Sequence, residues 1–240
     1  MGRLLEELDY RPTPIGALSL RRRREARLDV DVIEIKLGDE HLMSDLFTES
    51  EVALGRLGIE AAAGPKLDVV VGGLGLGYTA RAVLESARVA ELMVVEYLAP
   101  VVEWHSTGLL PLGAELSADR RCRIVQADFF ALAADEAGLD PDKPGRHFDA
   151  VLVDIDHSPD ALLDGASAGF YTTDGLHTLS RHLVDDGVFG LWSNDGPDEV
   201  FVARLQAAFG AAWAEPVRFA NPYNGETVTQ TIYLARRTAR

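Results

Sequence analysis

The 240-residue sequence predicts an α/β fold, built on a mostly parallel seven-stranded sheet whose last strand is antiparallel. Two observations carry this prediction. From Leu67 onward, short apolar runs alternate with stretches of helical character, which is the pattern of a parallel sheet covered by helices. Near the end of the chain, two strand-like segments flank residues 222–225, where Asn224-Gly225 favours a hairpin turn.

Residues 1–48 predict a small antiparallel β unit that precedes the main sheet. The segments 15–23 and 26–38 carry β-branched and alternating residues, and 38–45 predicts a turn followed by a further strand. We therefore expect two or three strands here. A unit this small is not stable alone, so it should pack on the main domain or on a second copy of the chain, which makes a homodimer possible.

An amphipathic helix over 49–60 opens the main domain, which we predict to span 49–240. An antiparallel pair that closes an otherwise parallel sheet is typical of Rossmann-like, class I methyltransferase-like folds. In chain order the predicted strands cover 67–73, 91–97, 122–128, 148–156, 187–195, 216–221 and 227–235, and the helices between them cover 78–87, 99–108, 129–138, 173–184 and 197–210.

Composition narrows the class of function. The net charge of −15 argues against nucleic-acid binding, which depends on lysine and arginine, and is compatible with a cationic small substrate. No run approaches the roughly 20 apolar residues of a membrane span, and residues 1–14 lack the apolar stretch of a secretion signal. Cys122 is the only cysteine, which excludes an intrachain disulfide and a cysteine-built metal site. We therefore expect a cytoplasmic enzyme with a small-molecule partner and no nucleic-acid or membrane partner.

Four glycines separate the first buried strand from the helix after it: Gly72, Gly73, Gly75 and Gly77. Glycines in such a turn let the backbone approach a ligand closely and adopt conformations that a side chain forbids. The N-terminus of the helix that follows offers free N–H donors. The turn predicts a nucleotide-type cofactor site, although it fits a nicotinamide dinucleotide almost as well.

Acidic residues end the next two strands. Glu96 follows the glycines by about 20 residues, where an acid accepts hydrogen bonds from ribose hydroxyls. Asp128 ends the third strand, where a carboxylate can accept from an adenine amino group or cap the next helix. We expect the residues after them, Tyr97 and Phe129, to line the same pocket. Because the carboxyl ends of parallel strands share one edge, these residues predict an adenosyl pocket.

Four segments resemble successive motifs of the spermidine synthase (polyamine aminopropyltransferase) family. They are the glycine turn and helix at 72–84, then 94–104, 126–130 and 148–160. The segment 94–104, VVEYLAPVVEW, is the most specific to that family, whereas methyltransferases in general share the glycine turn. The resemblance extends over about residues 67–195, and the N-terminal β unit matches the organisation of the family.

The resemblance implies a transferase that moves an aminopropyl group from decarboxylated S-adenosylmethionine to a small amine. It implies adenosyl contacts at four positions: Gly73, Gly75, Glu96 and Asp128. Relatives that share the fold use ordinary S-adenosylmethionine, which is therefore the alternative cofactor.

Asp154, Asp156 and His157, at the end of the fourth strand, are the candidate catalytic residues. A carboxylate beside an amine can orient it and accept its proton as the amine attacks a sulfonium carbon. Asp154 matches the catalytic aspartate of the family and also borders the cofactor. The usual Asp-Ser-Ser/Thr-Asp-Pro loop is replaced by Asp-Ile-Asp-His-Ser-Pro, so His157 stands near the place of the second acid. If the strand continued, Asp156 would face away from Asp154.

Two other functions stay open. Asp154, Asn194 and Asp195 offer oxygen ligands for magnesium in a small-molecule methyltransferase, although the six histidines show no metal spacing and we assign no metal residue. The chain can also be a catalytically silent adenosyl-binding protein whose amine loop has diverged. Tyr171 is a candidate wall of the pocket, with core packing as its other role.

Overall fold

A computed structural model of the chain describes residues 4–238 and contains two sheets. The N-terminal sheet has four antiparallel strands in sequential order: β1 (Leu5–Thr13), β2 (Gly16–Glu25), β3 (Val30–Leu37) and β4 (Glu40–Ser44). The prediction of two or three strands was wrong by at least one. The strand β1 was not predicted because its charged residues and Pro12 have low strand propensity. Such residues are tolerated in β1 because it lies at the edge of the sheet. Residues 1–3 and 239–240 of the two predicted domains lie outside the described residues.

The main sheet contains seven strands: β5 (Leu67–Gly72), β6 (Val89–Glu96), β7 (Cys122–Gln126), β8 (Phe148–Val153), β9 (Leu183–Ser193), β10 (Gly210–Ala220) and β11 (Thr227–Arg237). Their spatial order is β10-β11-β9-β8-β5-β6-β7. The strands from β9 to β7 run parallel to one another, whereas β11 is antiparallel to both β9 and β10. This topology confirms the predicted fold class.

In the described part of the chain, seven α-helices connect the strands: α1 (Glu49–Ala61), α2 (Tyr78–Leu84), α3 (Ala99–Ser106), α4 (Gly113–Ala118), α5 (Phe129–Ala134), α6 (Thr173–Ser180) and α7 (Glu199–Phe209). A 3-10 helix over Gly165–Tyr171 precedes α6. The helix α4 and the 3-10 helix were not predicted, because segments this short carry no helical periodicity. Within residues 4–238, no helix has both the length and the apolar character that crossing a membrane requires.

Apolar side chains cover both faces of the main sheet, as expected for central parallel strands. Along β5, Val69 and Val71 face a core that contains Leu54 of α1, whereas Val70 faces a second core that contains Leu205 of α7. The first core also includes Leu18 and other buried residues of the N-terminal sheet. The two sheets therefore share a hydrophobic core on one side of the main sheet.

Several predicted boundaries were wrong, and one of them bears on the site. The strand β8 ends at Val153, not at Asp156. The Asp154 backbone N–H still donates to the Gly72 carbonyl at 2.8 Å, but the chain then leaves the sheet. Asp156 instead accepts hydrogen bonds from the Leu163 N–H and the Tyr171 hydroxyl, both of which follow it in the chain. Three further bounds differ from the prediction. The helix α6 ends at 180 rather than 184, and β9 begins at 183 rather than 187. The strand β10 begins at 210 rather than 216, because it follows α7 directly.

Polar contacts also attach the N-terminal sheet to the main domain. The Trp104 indole N–H on α3 donates to Asp9 Oδ2 on β1 at 2.7 Å, and Arg11 forms an ion pair with Glu103 at 3.2 Å. The Trp104 hydrogen bond is the main cause that lowers the pKa of Asp9, because it stabilises the charged carboxylate. These contacts hold β1 against the helix that follows β6.

We expect Asp9→Asn to lower the free energy of unfolding by about 1–2 kcal/mol at pH 7, because the Trp104 hydrogen bond loses its charged acceptor. A carboxylate with a lowered pKa stabilises the fold above its unfolded pKa and loses that effect as pH falls. Urea unfolding at pH 7 and pH 3 therefore gives a difference that shrinks at pH 3. The exposed Glu7→Gln on the same strand is the control, and an equal loss in both variants would contradict the prediction.

Candidate functional site

A cavity of about 630 Å³ lies at the carboxyl ends of β5, β6 and β8. Loops of the main sheet form its floor, and residues of the N-terminal sheet, including Ile35 and Met43, cover it. Nearly all the predicted site residues line this cavity: Gly73, Gly75, Glu96, Tyr97, Asp128, Phe129, Asp154, Asp156 and His157. Gly72 and Gly77 are not among the lining residues.

The glycine turn is held by tight packing against other parts of the protein. Gly73 has a φ of +91°, and a Cβ added there would lie 2.0 Å from the Asp154 carbonyl oxygen. Gly75 has a φ of +48°, and its added Cβ would lie 2.4 Å from the Met43 sulfur. Both positions therefore require glycine for backbone conformation and for space.

Gly72 and Gly77 serve the packing around the turn. A Cβ at Gly72 would lie 2.7 Å from the Phe129 ring, and one at Gly77 would lie 2.6 Å from Leu116. Gly77 has a φ of +94° and directly precedes α2. The structure thus places these two glycines behind the cavity wall, where they let an aromatic ring and a leucine approach the backbone.

Glu96, at the end of β6, is buried and bound to the glycine turn. Its Oε2 accepts from the Leu74 N–H at 2.9 Å, and its Oε1 accepts from the Leu98 N–H at 2.8 Å. Burial raises the pKa of Glu96, while these backbone hydrogen bonds oppose that shift. Glu96 also lines the cavity, so its carboxyl group lies where a ligand can contact it.

Asp128 caps the helix α5 and also lines the cavity. Its Oδ1 accepts from the Phe130 N–H at 2.9 Å and from the Ala131 N–H at 3.2 Å. The capping role considered from the sequence is therefore present, and it leaves the exposed Oδ2 for another donor. Phe129 is fully buried, whereas Tyr97 is 44% exposed at the rim.

Asp154 lies in the loop that begins directly after β8. Its Oδ2 accepts from the Thr79 hydroxyl at 2.6 Å, and Thr79 belongs to α2, just past the glycine turn. Burial raises the pKa of Asp154, which moves it toward the range where a carboxylate is an effective base near neutral pH. The structure therefore places a carboxyl group with a raised pKa in the lining of the cavity.

Glu51 is a cavity residue that the sequence did not reveal. It lies in the first turn of α1, is 7% exposed, and its backbone carbonyl is 3.2 Å from the Thr79 hydroxyl. Gly55 allows this placement, because a Cβ there would lie 2.7 Å from that of Ala82 on α2. Burial, and then repulsion from Asp154, raise the pKa of Glu51. The one feature of the sequence that could have indicated Glu51 is its place as an acid on the face of α1 that is otherwise apolar or small.

Asp156 is buried and organises the loop that follows it. Its Oδ1 accepts from the Leu163 N–H at 2.7 Å, and its Oδ2 accepts from the Tyr171 hydroxyl at 2.7 Å and from Ser167 at 3.2 Å. Tyr171 is also buried and does not line the cavity. Asp154 and Asp156 both line the cavity. The alternation expected for a continued strand does not apply, because β8 ends at Val153.

His157 connects the same loop to the N-terminal sheet. Its Nε2 lies 3.0 Å from Glu40 Oε1 on β4, and both side chains are partly exposed. The Asn194 N–H also donates to the His157 carbonyl at 2.7 Å. His157 therefore lies where the loop, the cover of the cavity and the end of β9 meet.

Of the three alternative magnesium ligands, one lines the cavity. Asp154 lines the cavity, whereas Asn194 and Asp195 do not. The Asn194 side-chain oxygen accepts from Gln230 at 2.8 Å. Across residues 4–238, no group of three or more histidine, cysteine, aspartate or glutamate side chains has an arrangement that holds a metal ion.

Acidic side chains are prominent in the lining of the cavity. Six carboxyl side chains line it: Glu51, Glu96, Asp128, Asp154, Asp156 and Asp164. Within the described part of the chain, no lysine or arginine lines it, and His157 is the single basic side chain. Aromatic and aliphatic groups, including Phe130 and Trp192, form the rest. Such a cavity can bind a ligand that combines apolar surface with positive charge.

We expect Gly73→Ala to destabilise the fold by at least about 2 kcal/mol, because it combines a left-handed backbone with a clash against the Asp154 carbonyl. Chemical denaturation measures the effect. Gly165→Ala is the matched control, since nothing lies within 4 Å of its added Cβ. Similar stability in the two variants would contradict this account of the turn.

The raised pKa values of Glu51 and Asp154 give a second prediction. A carboxyl group whose folded pKa is raised contributes stability below its unfolded pKa of about 4, and that contribution is lost as pH rises. Glu51→Gln should therefore raise the melting temperature at pH 8 by roughly 2–4 °C, as about 1 kcal/mol does in a chain of this size. The gain should disappear at pH 5.

The exposed Glu60→Gln, on the same helix, is the control for that measurement. A melting temperature of Glu51→Gln that equals or falls below wild type at pH 8 would refute the raised pKa of Glu51.

Comparison with known proteins agrees with this architecture. No family model and no curated protein matches the sequence. Among solved structures, a spermidine synthase from Thermotoga maritima matches 98% of this chain and 74% of its own, with a TM-score of 0.73 and 17% identity. A spermidine synthase in complex with the transition state analogue AdoDATO matches 98% of this chain and 73% of its own, with a TM-score of 0.72 and 17% identity. The chain therefore has the Rossmann-like, class I methyltransferase-like fold of spermidine synthase structures.

Proposed function

We propose that this protein is a transferase that moves an aminopropyl group from decarboxylated S-adenosylmethionine to a small amine. The observation that carries the proposal is the cavity itself, lined by six carboxyl groups without a lysine or arginine among the described residues. Both partners of that reaction are cations, a sulfonium donor and an amine acceptor. The fold shared with spermidine synthases, and the complex of one of them with AdoDATO, support the proposal.

The residues of the cavity fit an adenosyl group. Glu96 lines the cavity beside the glycine turn, where an acid at the end of this strand can accept from ribose hydroxyls. Asp128 uses one oxygen for the cap of α5 and has the other free to accept from an adenine amino group. Phe130, Ala131 and Ala134 offer apolar contacts beside it. Gly73 and Gly75 leave backbone exposed at the cavity wall.

The acidic lining favours the decarboxylated donor over S-adenosylmethionine itself. The carboxylate of S-adenosylmethionine would enter a cavity whose described residues include six acids and no strong base to pair with it. Like charges within one site raise the free energy of the bound state. A donor that ends in an ammonium group meets no such repulsion.

Asp154 is the residue that we assign to proton transfer. When bound, the donor supplies a carbon activated by positively charged sulfur, and the electron pair of the broken carbon–sulfur bond stays on that sulfur. Asp154 orients the attacking nitrogen of the acceptor, which must be uncharged to supply its lone pair, and accepts the proton that this nitrogen loses as the new carbon–nitrogen bond forms. The Thr79 hydroxyl holds this carboxylate in place, and the raised pKa of Asp154 suits it to the task.

We expect the protein to convert decarboxylated S-adenosylmethionine and an amine from a panel of diamines into methylthioadenosine, detected by mass spectrometry. Asp154→Asn should lower kcat/KM by about 10²–10⁴-fold, the usual contribution of a general base. The exposed loop variant Asp160→Asn should match wild type.

Two results would contradict the proposal. One is the absence of methylthioadenosine across the panel together with S-adenosylhomocysteine formed from S-adenosylmethionine, which identifies a methyltransferase. The other is cofactor binding without any turnover and without effect of Asp154→Asn, which identifies a silent adenosyl-binding protein.

A further inference from the structure

Glu51 is a buried carboxyl group that the mechanism above does not use. It lines the cavity from α1, and the nearest titratable groups that face it are Asp154 after β8, Tyr78 on α2 and Glu49 on its own helix. None of these groups is a cation. A buried carboxylate without a positive partner is costly, so the hydrogen bonds of Glu51 decide its charge.

Those hydrogen bonds form a chain from the cavity toward the surface. Ser50 Oγ lies 2.9 Å from Glu51 Oε2, 2.6 Å from Gln230 Oε1 and 2.8 Å from Trp192 Nε1. Gln230 Nε2 donates to Asn194 Oδ1 at 2.8 Å. Ser50 is 1% exposed and Gln230 is 9% exposed, whereas Asn194 is exposed.

The number of available protons restricts this chain. The Trp192 indole N–H can only donate, so it donates to Ser50. Because Gln230 presents its oxygen to Ser50, the single hydroxyl proton of Ser50 must go to that oxygen. The remaining contact, between Ser50 and Glu51, then needs a proton from Glu51. In this arrangement Glu51 is a neutral carboxylic acid that donates to Ser50.

The same residues can also support a charged Glu51. If the side-chain amides of Gln230 and Asn194 both rotate, Gln230 donates to Ser50 and accepts from Asn194. Ser50 then accepts from Trp192 and Gln230, and it can donate its own proton to Glu51. The chain therefore has two self-consistent hydrogen-bond patterns, one for each charge of Glu51.

We propose that Glu51 is a second amine-binding group, neutral in the free protein and ionised when a cationic amine binds beside Asp154. The inference rests on the proposed function for the identity of the ligand. The exchange balances, since a carboxylic acid and an ammonium ion become a carboxylate–ammonium pair and one proton leaves to solvent. A neutral ligand of the same shape gains nothing from this ionisation, so Glu51 selects amines over alcohols.

Calorimetry can count the released proton without turnover. Putrescine is titrated into the protein saturated with methylthioadenosine at pH 7, in phosphate and in Tris, whose ionisation enthalpies differ. We expect wild type to release close to one proton per putrescine, and Glu51→Gln to lose most of that release. Asp160→Asn, outside the cavity lining, should behave as wild type.

A second variant tests the hydrogen-bond chain. Gln230→Met removes the oxygen that takes the Ser50 proton, so Ser50 becomes free to donate to Glu51. Glu51 should then be ionised more often in the free protein, and proton release on putrescine binding should fall below the wild-type value.

Infrared difference spectra should show loss of a protonated-carboxyl band when putrescine binds to wild type, and no such loss in Glu51→Gln.

The outcomes separate this inference from the proposed function. Proton release that depends on Glu51, without methylthioadenosine formation from decarboxylated S-adenosylmethionine, supports the role of Glu51 and refutes the transferase. Turnover with unchanged proton release in Glu51→Gln refutes the role of Glu51 alone. Failure of putrescine to bind wild type, or release of no proton on binding, also overturns it.

Discussion

The close approach of two backbone segments, at Gly73 and at the Asp154 carbonyl, is the constraint on which the cavity depends. It arises because β5 and β8 are adjacent parallel strands that end at the same edge of the sheet. At that edge the chain after β5 turns into α2, which carries Thr79 to the Asp154 carboxyl group. A side chain at residue 73 would separate the two segments and remove the support of Asp154.

The N-terminal sheet covers the cavity that these segments form. Met43 contacts the glycine turn, and Glu40 pairs with His157 on the loop after β8. The shared hydrophobic core and the Asp9–Trp104 hydrogen bond hold the sheet in place. The small β unit thus obtains its stability from the main domain, and in return it encloses the cavity.

The site residues that lie at the ends of strands could be predicted from the sequence. The residues Glu96, Asp128 and Asp154 lie directly after buried apolar runs, and the order of a parallel sheet brings such positions to one edge. Glu51 and Thr79 could not be predicted in the same way. Their position depends on how closely α1 packs on α2, which small residues on facing helix surfaces determine and no periodic pattern reveals.

The loop after β8 could be predicted from the sequence only in part. Its departure from the family motif was visible in the sequence, but the contacts of Asp156 were not. Two of its three partners, Ser167 and Tyr171, lie in a 3-10 helix that the sequence did not predict. Asp156 accepts three hydrogen bonds within the loop, and His157 pairs with Glu40 of the N-terminal sheet. Asp156 and His157 therefore support the loop, while Asp154 lies in the cavity lining.

The acidic lining affects which step of the proposed reaction limits turnover. If the acceptor is a small amine, the product of aminopropyl transfer carries one more amino group than the acceptor did. The same carboxyl groups that attract the acceptor then hold the product more strongly. Departure of the product, rather than bond formation, would limit turnover at low ionic strength, and added salt would accelerate the enzyme by screening that attraction.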